Sequence, residues 1–269
     1  MNTLEQDSIR NAVRAHYGAI AESAATPAGA CGCATGTSCC GGAPAETNSY
    51  GERLGYSPDE LAAAPAGANL NLGCGNPFAI ASIQPGETVL DLGSGAGFDA
   101  FLAARQLAGT GRVIGVDMTP AMISKARQNA AQSEHANVEF RLGEIEHLPV
   151  ADGTVDLIIS NCVINLSPDK KQVFREALRV LKPGGRLAIA DVVAVAPIPE
   201  KIRRDLVAYA GCISGAALVN DVRAMLGAAG FVRIEITEKS ESRDLIDDWS
   251  EGRDAGDYVI SAIIEAVKP

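Results

Sequence analysis

Seven cysteines in a chain of 269 residues are the first side chains whose type suggests chemistry. The number is odd, so a fully paired disulfide framework is excluded. Cys31, Cys33, Cys39 and Cys40 crowd into an Ala/Gly/Thr-rich stretch, residues 25–49, that reads as a loop or mobile arm. Cys74, Cys162 and Cys212 are scattered. In a reducing compartment such cysteines are core residues, metal ligands or reactive thiols. Cys74 sits in a Gly-Cys-Gly turn, poorly placed for packing, and Cys162 directly follows the strand-like run ending in Ser160-Asn161. The second chemical feature is Asp91-Leu92-Gly93-Ser94-Gly95-Ala96-Gly97. Glycines permit positive φ and close approach of backbone to a ligand. The third glycine comes one residue earlier than in the dinucleotide fingerprint. Asp91 can face a cationic amino group. Asp117, twenty residues beyond Gly97, is placed for ribose hydroxyls. Gly143-Glu144-Ile145 ends a third apolar run, where a base edge would sit.

These residues need a scaffold, and the periodicity supplies one. Apolar runs at 88–92, 112–117, 138–142, 155–160 and 186–191 alternate with helical stretches at 98–108, about 119–132 and about 169–181. That alternation predicts a doubly wound, mostly parallel sheet with helices on both faces. A helical insert at about 199–229 and strands near 231–239 and 257–267 follow, the last expected antiparallel at the sheet edge. Residues 4–24 predict a helix with Ile9, Val13, His16-Tyr17 and Ile20 on one side. The expected division is an N-terminal helix and Cys-rich arm over 1–67, a cofactor-binding core over 68–195, and a helical cap with the final strands over 196–269. In such a sheet ligands bind at the carboxyl ends of the strands, which places Cys162 in the pocket.

Composition narrows the class. Apolar residues make up 47% and the net charge is −10 without a basic cluster, so nucleic acid is not an expected partner. No apolar run approaches a membrane span and no signal peptide stands at Met1, so a cytoplasmic protein is expected. No heptad or exposed repeat argues against a monomer. His16, His135 and His147 form no pair at metal-ligand spacing.

The glycine loop, Asp117, Gly143-Glu144-Ile145 and the turn Lys182-Pro183-Gly184-Gly185 together resemble the seven-stranded class I methyltransferases. The resemblance implies S-adenosylmethionine as cofactor and S-adenosylhomocysteine as product. It implies binding through Asp91, Gly93, Ser94, Gly95, Asp117, Met118, Glu144, Ile145 and Asn161. From Tyr50 onward the chain is similar to the arsenite methyltransferases. The matching segments are Asn71-Leu72-Gly73-Cys74-Gly75-Asn76-Pro77, Asp91 to Asp99, Gly115-Val116-Asp117-Met118-Thr119-Pro120, Ser160 to Leu166 and Gly211-Cys212-Ile213-Ser214-Gly215-Ala216. That resemblance implies trivalent arsenic held by Cys74, Cys162 and Cys212, with Cys162 and Cys212 sufficing for a methylated arsenical. Soft thiolates suit a soft centre, and three sulfurs leave arsenic a lone pair to act as nucleophile. A methyltransferase acting on carbon or oxygen of a small molecule, such as a quinone precursor, shares the loop but needs no thiols. A metalloid-sequestering protein with a vestigial cofactor site shares the thiols but makes no product.

The N-terminal cysteines admit three readings. Their spacing fits the usual zinc pattern poorly. The resemblance implies an arsenic entry site or disulfide relay, cleared by thioredoxin or glutathione, with Cys39 or Cys40 nearer the core. Incidental thiols on a tail are the third.

Overall fold

The computed structural model describes residues 3–23, 50–249 and 254–269, so Cys31, Cys33, Cys39 and Cys40 lie outside the described residues. Helix α1 (Thr3–Ser23) is followed by the short helices α2 (Pro58–Ala63) and α3 (Phe78–Ala81). The alternating body then runs β1 (Thr88–Leu92), α4 (Phe98–Leu107), β2 (Arg112–Asp117), α5 (Pro120–Gln132), β3 (Val138–Leu142), β4 (Val155–Asn161), α6 (Lys170–Val180) and β5 (Leu181–Ala194). The insert contains α7 (Glu200–Arg203), α8 (Leu206–Ala210) and α9 (Val219–Ala229). β6 (Val232–Lys239), α10 (Arg243–Trp249) and β7 (Val259–Val267) close the chain.

All seven strands join one sheet in the order β3-β2-β1-β4-β5-β7-β6. β1 to β5 are parallel, and β7 is antiparallel to both of its neighbours. The expectation of β7 at the edge is therefore corrected: it lies between β5 and β6, and β6 is the edge. The reason is visible in the side chains. β7 is buried along most of its length, whereas β6, Val-Arg-Ile-Glu-Ile-Thr-Glu-Lys, alternates and is largely exposed. A strand paired on both sides needs apolar residues on both faces; an edge strand tolerates charge. β5 also begins earlier than predicted, because Leu181 already pairs with Val155 before the Lys182–Gly185 turn.

Successive β1 residues serve opposite faces, as a period of two requires. Val89 packs with Phe101 and Leu107 of α4 and Ile123 of α5. Leu90 and Leu92 pack with Phe174 of α6 and Leu226 of α9. A third cluster forms over the carboxyl ends of β4 and β5. There Ile9 and Val13 of α1 meet Tyr209 and Ile213 of the insert, and the three cysteines lie among them. Strand order reverses between β1 and β4, so the ends of these two strands flank the crevice where open α/β sheets bind ligands.

Candidate active site

Two clefts meet over that crevice, of about 580 and 710 Å³, sharing Leu72, Gly93, Gly95 and Asn161 as walls. The glycine loop separates them. Gly93 has φ 69°, and a Cβ there would come within 2.4 Å of the Val163 side chain. Gly97 has φ 100°, and a Cβ would meet Phe101 and Phe140 at 2.7 Å. Both positions therefore require glycine for backbone and for space. The amides of Gly93, Ser94, Gly95 and Gly97 are engaged within the protein. Gly93 N and Ser94 N donate to Val116 O at 2.8 and 3.0 Å, and Gly95 N donates to Asp117 Oδ2 at 3.0 Å. A pyrophosphate needs such amides; a cofactor without phosphate does not. The glycines here shape the cleft rather than cradle an anion.

The smaller cleft has an acidic floor. Asp91, 2% exposed, has an Oδ2 with no hydrogen-bond partner among the described residues, and Ser94 Oγ is likewise unpartnered. Burial, then the neighbouring Asp99 charge, raise the Asp91 carboxyl well above the usual range. An orphaned buried carboxylate calls for a cationic partner, and the ammonium of a methionine moiety is one. Asp99 is pushed up to about 6 by burial, although Tyr56 Oη donates to it at 2.7 Å. Asn161 joins this group to the cysteines. Its Nδ2 donates to Tyr56 Oη at 3.0 Å and to Gly75 O at 2.8 Å, while its Oδ1 accepts from Cys74 N at 3.0 Å.

The larger cleft holds Asp117 and Met118 at the end of β2 and Ile145 after β3. Asp117 accepts from Gly95 N through Oδ2 and from Thr119 N through Oδ1. With Thr119 also bonding through its side chain, the carboxylate keeps lone-pair capacity for a hydroxyl. Glu144, expected at the base edge, pairs with α1: Arg14 donates to it, and Arg10 Nε stands 3.6 Å away. Buried Glu146 lines the cleft in its stead, accepting from Ser167 Oγ at 2.8 Å and Arg10 Nη2 at 3.3 Å.

The fold brings Cys74, Cys162 and Cys212 together, all buried and unpaired. Cys162, at the end of β4, lines the larger cleft. Cys74 backs onto a separate cleft with Ala190 and Ser261. Cys212 follows α8, its Sγ 3.0 Å from the Cys162 carbonyl oxygen. Cys162 and Cys212 are held at φ 59° and 62°, a region that strains residues with a Cβ. Such strain is kept where surrounding structure demands it. Burial pushes the Cys74 thiol up to about 11. The Cys162 thiol is raised by burial, and that of Cys212 by its hydrogen bond to Cys162 and then by burial. A buried cluster of thiols results, protonated until a ligand displaces the protons.

Residues 83–230 match the methyltransferase domain family. An arsenite methyltransferase of Halobacterium salinarum is 53% identical over 98% of this chain and 68% of its own length. The chain belongs to the arsenite methyltransferase family. The human arsenite methyltransferase is 38% identical over 53% of this chain, an alignment spanning 40% of the human protein. The crystal structure of an arsenic(III) S-adenosylmethionine methyltransferase from Chlamydomonas reinhardtii superposes with a TM-score of 0.65. It is 35% identical, covering 80% of this chain and 74% of that one. The cofactor of this arsenite methyltransferase family member is S-adenosylmethionine, and the orphaned Asp91 oxygen and amide-committed loop fit a cationic, phosphate-free ligand.

Sequence reasoning about this family member missed Arg10, Tyr17, Tyr56, Asp99, Glu146 and Asp191. Tyr17 was read as one residue of an apolar stripe, and so it packs. In addition it lines the larger cleft and donates to Ala210 O at 3.0 Å. Asp99 lay within a matching segment, but only the partner Tyr56, 43 residues earlier, gives it a role. His16 and His147 are exposed and His135 half-buried, and none of the three lines either cleft.

Proposed function

We propose that this chain transfers methyl groups from S-adenosylmethionine to trivalent arsenic held by Cys74, Cys162 and Cys212. The observation that carries the reading is the three-thiol cluster at the end of β4, one thiol of which forms a wall of the cofactor cleft. When bound, S-adenosylmethionine supplies an electrophilic sulfonium methyl group, which an arsenic lone pair takes without a side-chain base. Asp91 Oδ2 accepts from the cofactor's ammonium, and Asp117 accepts from its ribose hydroxyls. Met118 and Ile145 bound the adenine end. Asn161 ties the Cys74 turn to the cofactor floor, so both substrates are held by one connected framework. Holding reactants in place supplies a large part of such a rate. Each thiol gives up its proton as its As–S bond forms, and the hydroxide or thiol conjugate displaced from arsenic carries that proton away.

The substrate is trivalent arsenic as a thiol conjugate. An arsenic(V) product takes two electrons from two thiols and leaves a disulfide, which thioredoxin or glutathione reduces. Cys39 or Cys40 serves that relay. The test is direct. Arsenite, glutathione, a quinone precursor and labelled S-adenosylmethionine should yield methylated arsenic and S-adenosylhomocysteine in step. Arsenic retained without S-adenosylhomocysteine contradicts catalysis, and labelled quinone precursor without labelled arsenic contradicts the acceptor.

A further inference from the structure

Asp191 is a buried group that the methyl-transfer chemistry leaves unused. It is 1% exposed, on β5 beside the thiols. Its Oδ1 accepts from Val192 N at 2.8 Å and Asn165 Nδ2 at 2.9 Å, and its Oδ2 accepts from Ile164 N at 2.9 Å. A carboxylate has about four lone-pair sites, so capacity is left on Oδ2. One of its oxygens, Cys74 Sγ and Cys162 Sγ all lie within 4.8 Å of one another. Donors around a tetrahedral zinc stand roughly 3.8 Å apart, given Zn–S bonds of about 2.3 Å. A bound ion would draw the three donors in to that spacing. A fixed carboxylate held by backbone amides is also what ligating carboxylates have around them.

We propose that Cys74, Cys162 and Asp191 form a site for a thiophilic divalent cation, zinc in the first instance, which shares two thiols with the arsenic site and replaces Cys212 by a carboxylate. Softness decides between the two occupants. Arsenic(III) takes sulfur and rejects carboxylate oxygen, so its third ligand is Cys212. Zinc accepts sulfur and oxygen together. Binding releases two thiol protons and forms two Zn–S bonds and one Zn–O bond, with no change of oxidation state. Two thiolates and a carboxylate leave the zinc set one negative charge. Lys170 offsets it: its charge acts on Asp191, and its Nζ donates to Asn165 O and Ser167 O beside the cluster. Sharing two thiols makes zinc and arsenic mutually exclusive. The proposal does not depend on methyl transfer, and its test uses neither cofactor nor turnover.

The probe is Co²⁺, whose thiolate-to-metal absorption reports sulfur ligation. The full chain is used with Cys31, Cys33, Cys39 and Cys40 replaced by Ser, so that only the described thiols contribute. The expected result is one Co²⁺ per chain with thiolate absorption, displaced by Zn²⁺ and by arsenite. Cys212→Ser should keep that absorption with affinity within about threefold, yet lose arsenite's ability to displace Co²⁺. Asp191→Asn should weaken Co²⁺ binding roughly a hundredfold. Because Asp191 also anchors Ile164 N, circular dichroism checks that this variant folds. If it does not, Cys74→Ser decides, since it must abolish the absorption while Cys212→Ser retains it. Absence of thiolate absorption in the parent overturns the proposal. So does undiminished binding in folded Asp191→Asn or in Cys74→Ser, or simultaneous binding of Zn²⁺ and arsenite.

Discussion

Cys162 directly follows β4, Asp91 lies in β1 just before its end, and Asn161, the last residue of β4, bridges them. Asp91 carries the clearest residue-scale prediction. A charge-assisted hydrogen bond contributes about 1.5–3 kcal/mol, so Asp91→Asn should weaken S-adenosylmethionine binding about 10- to 100-fold by calorimetry. Binding as tight as in the parent would mean that the orphaned oxygen does not meet the cofactor. Placement was legible where a single segment holds the residue and its neighbours, as for Asp91 beside its glycines or Cys162 after its strand. Asp99 and Tyr56 were not legible as a pair, because a hydrogen bond across 43 residues leaves no local pattern. The ion pairs of Glu144 were not legible for a related reason. The two arginines that pair with it stand on α1, some 130 residues earlier.

Helix α1 is the element that converts an open crevice into a walled one. Ile9, Val13, Tyr17 and Ala21 recur every fourth residue and form its inward stripe, with Val13 2% exposed. A charge placed at Val13 has to be desolvated or expelled. Val13→Asp should therefore release α1, speeding hydrogen exchange of its amides while the β1 and β4 amides stay protected. Uniform loss of protection would make α1 part of the same cooperative unit instead. The glycine loop is the second positioning element. Gly97→Ala puts a Cβ into a left-handed conformation and 2.7 Å from Phe101 and Phe140, and should cost about 2–4 kcal/mol in urea unfolding. Most strand and helix boundaries were readable from the sequence, because parallel strands are continuous apolar runs and their helices are punctuated by Gly, Pro and Asp. The place of β7 was not, since nothing in its own residues says which strand will cover its far side. The charged alternation of β6 carried that information.

At the scale of the whole molecule, a chain of net charge −10 keeps several carboxylates in its interior. Asp99 and Asp191 each hold a proton up to about 6 against 3.8 for the free side chain. Their native carboxyls bind protons more tightly than the unfolded chain does. Each contribution is therefore fully present below 3.8 and lost as pH rises through about 6. The cofactor-free protein should consequently unfold at a higher urea concentration near pH 5.5 than near pH 8, and the difference should shrink in Asp99→Asn. A cationic cofactor reverses the preference at Asp91 by stabilising its charged form, so S-adenosylmethionine should bind more weakly as pH falls. Stability that rises steadily from pH 5.5 to 8 would show that these interior carboxylates are better solvated than their burial indicates. Among the described residues no helix is long and apolar enough to cross a membrane. The whole sheet thus serves one end, where the strand order reverses and thiols and carboxylates meet.

The account rests on thiols that hold arsenic beside the cofactor, and one assay reaches it most directly. Arsenite and monomethylarsenite are each supplied with labelled S-adenosylmethionine to the parent, Cys74→Ser and Cys162→Ser, and the arsenic products are separated and counted. The parent should methylate both, Cys74→Ser only monomethylarsenite, and Cys162→Ser neither. Normal turnover of arsenite by Cys162→Ser would contradict the account at its centre.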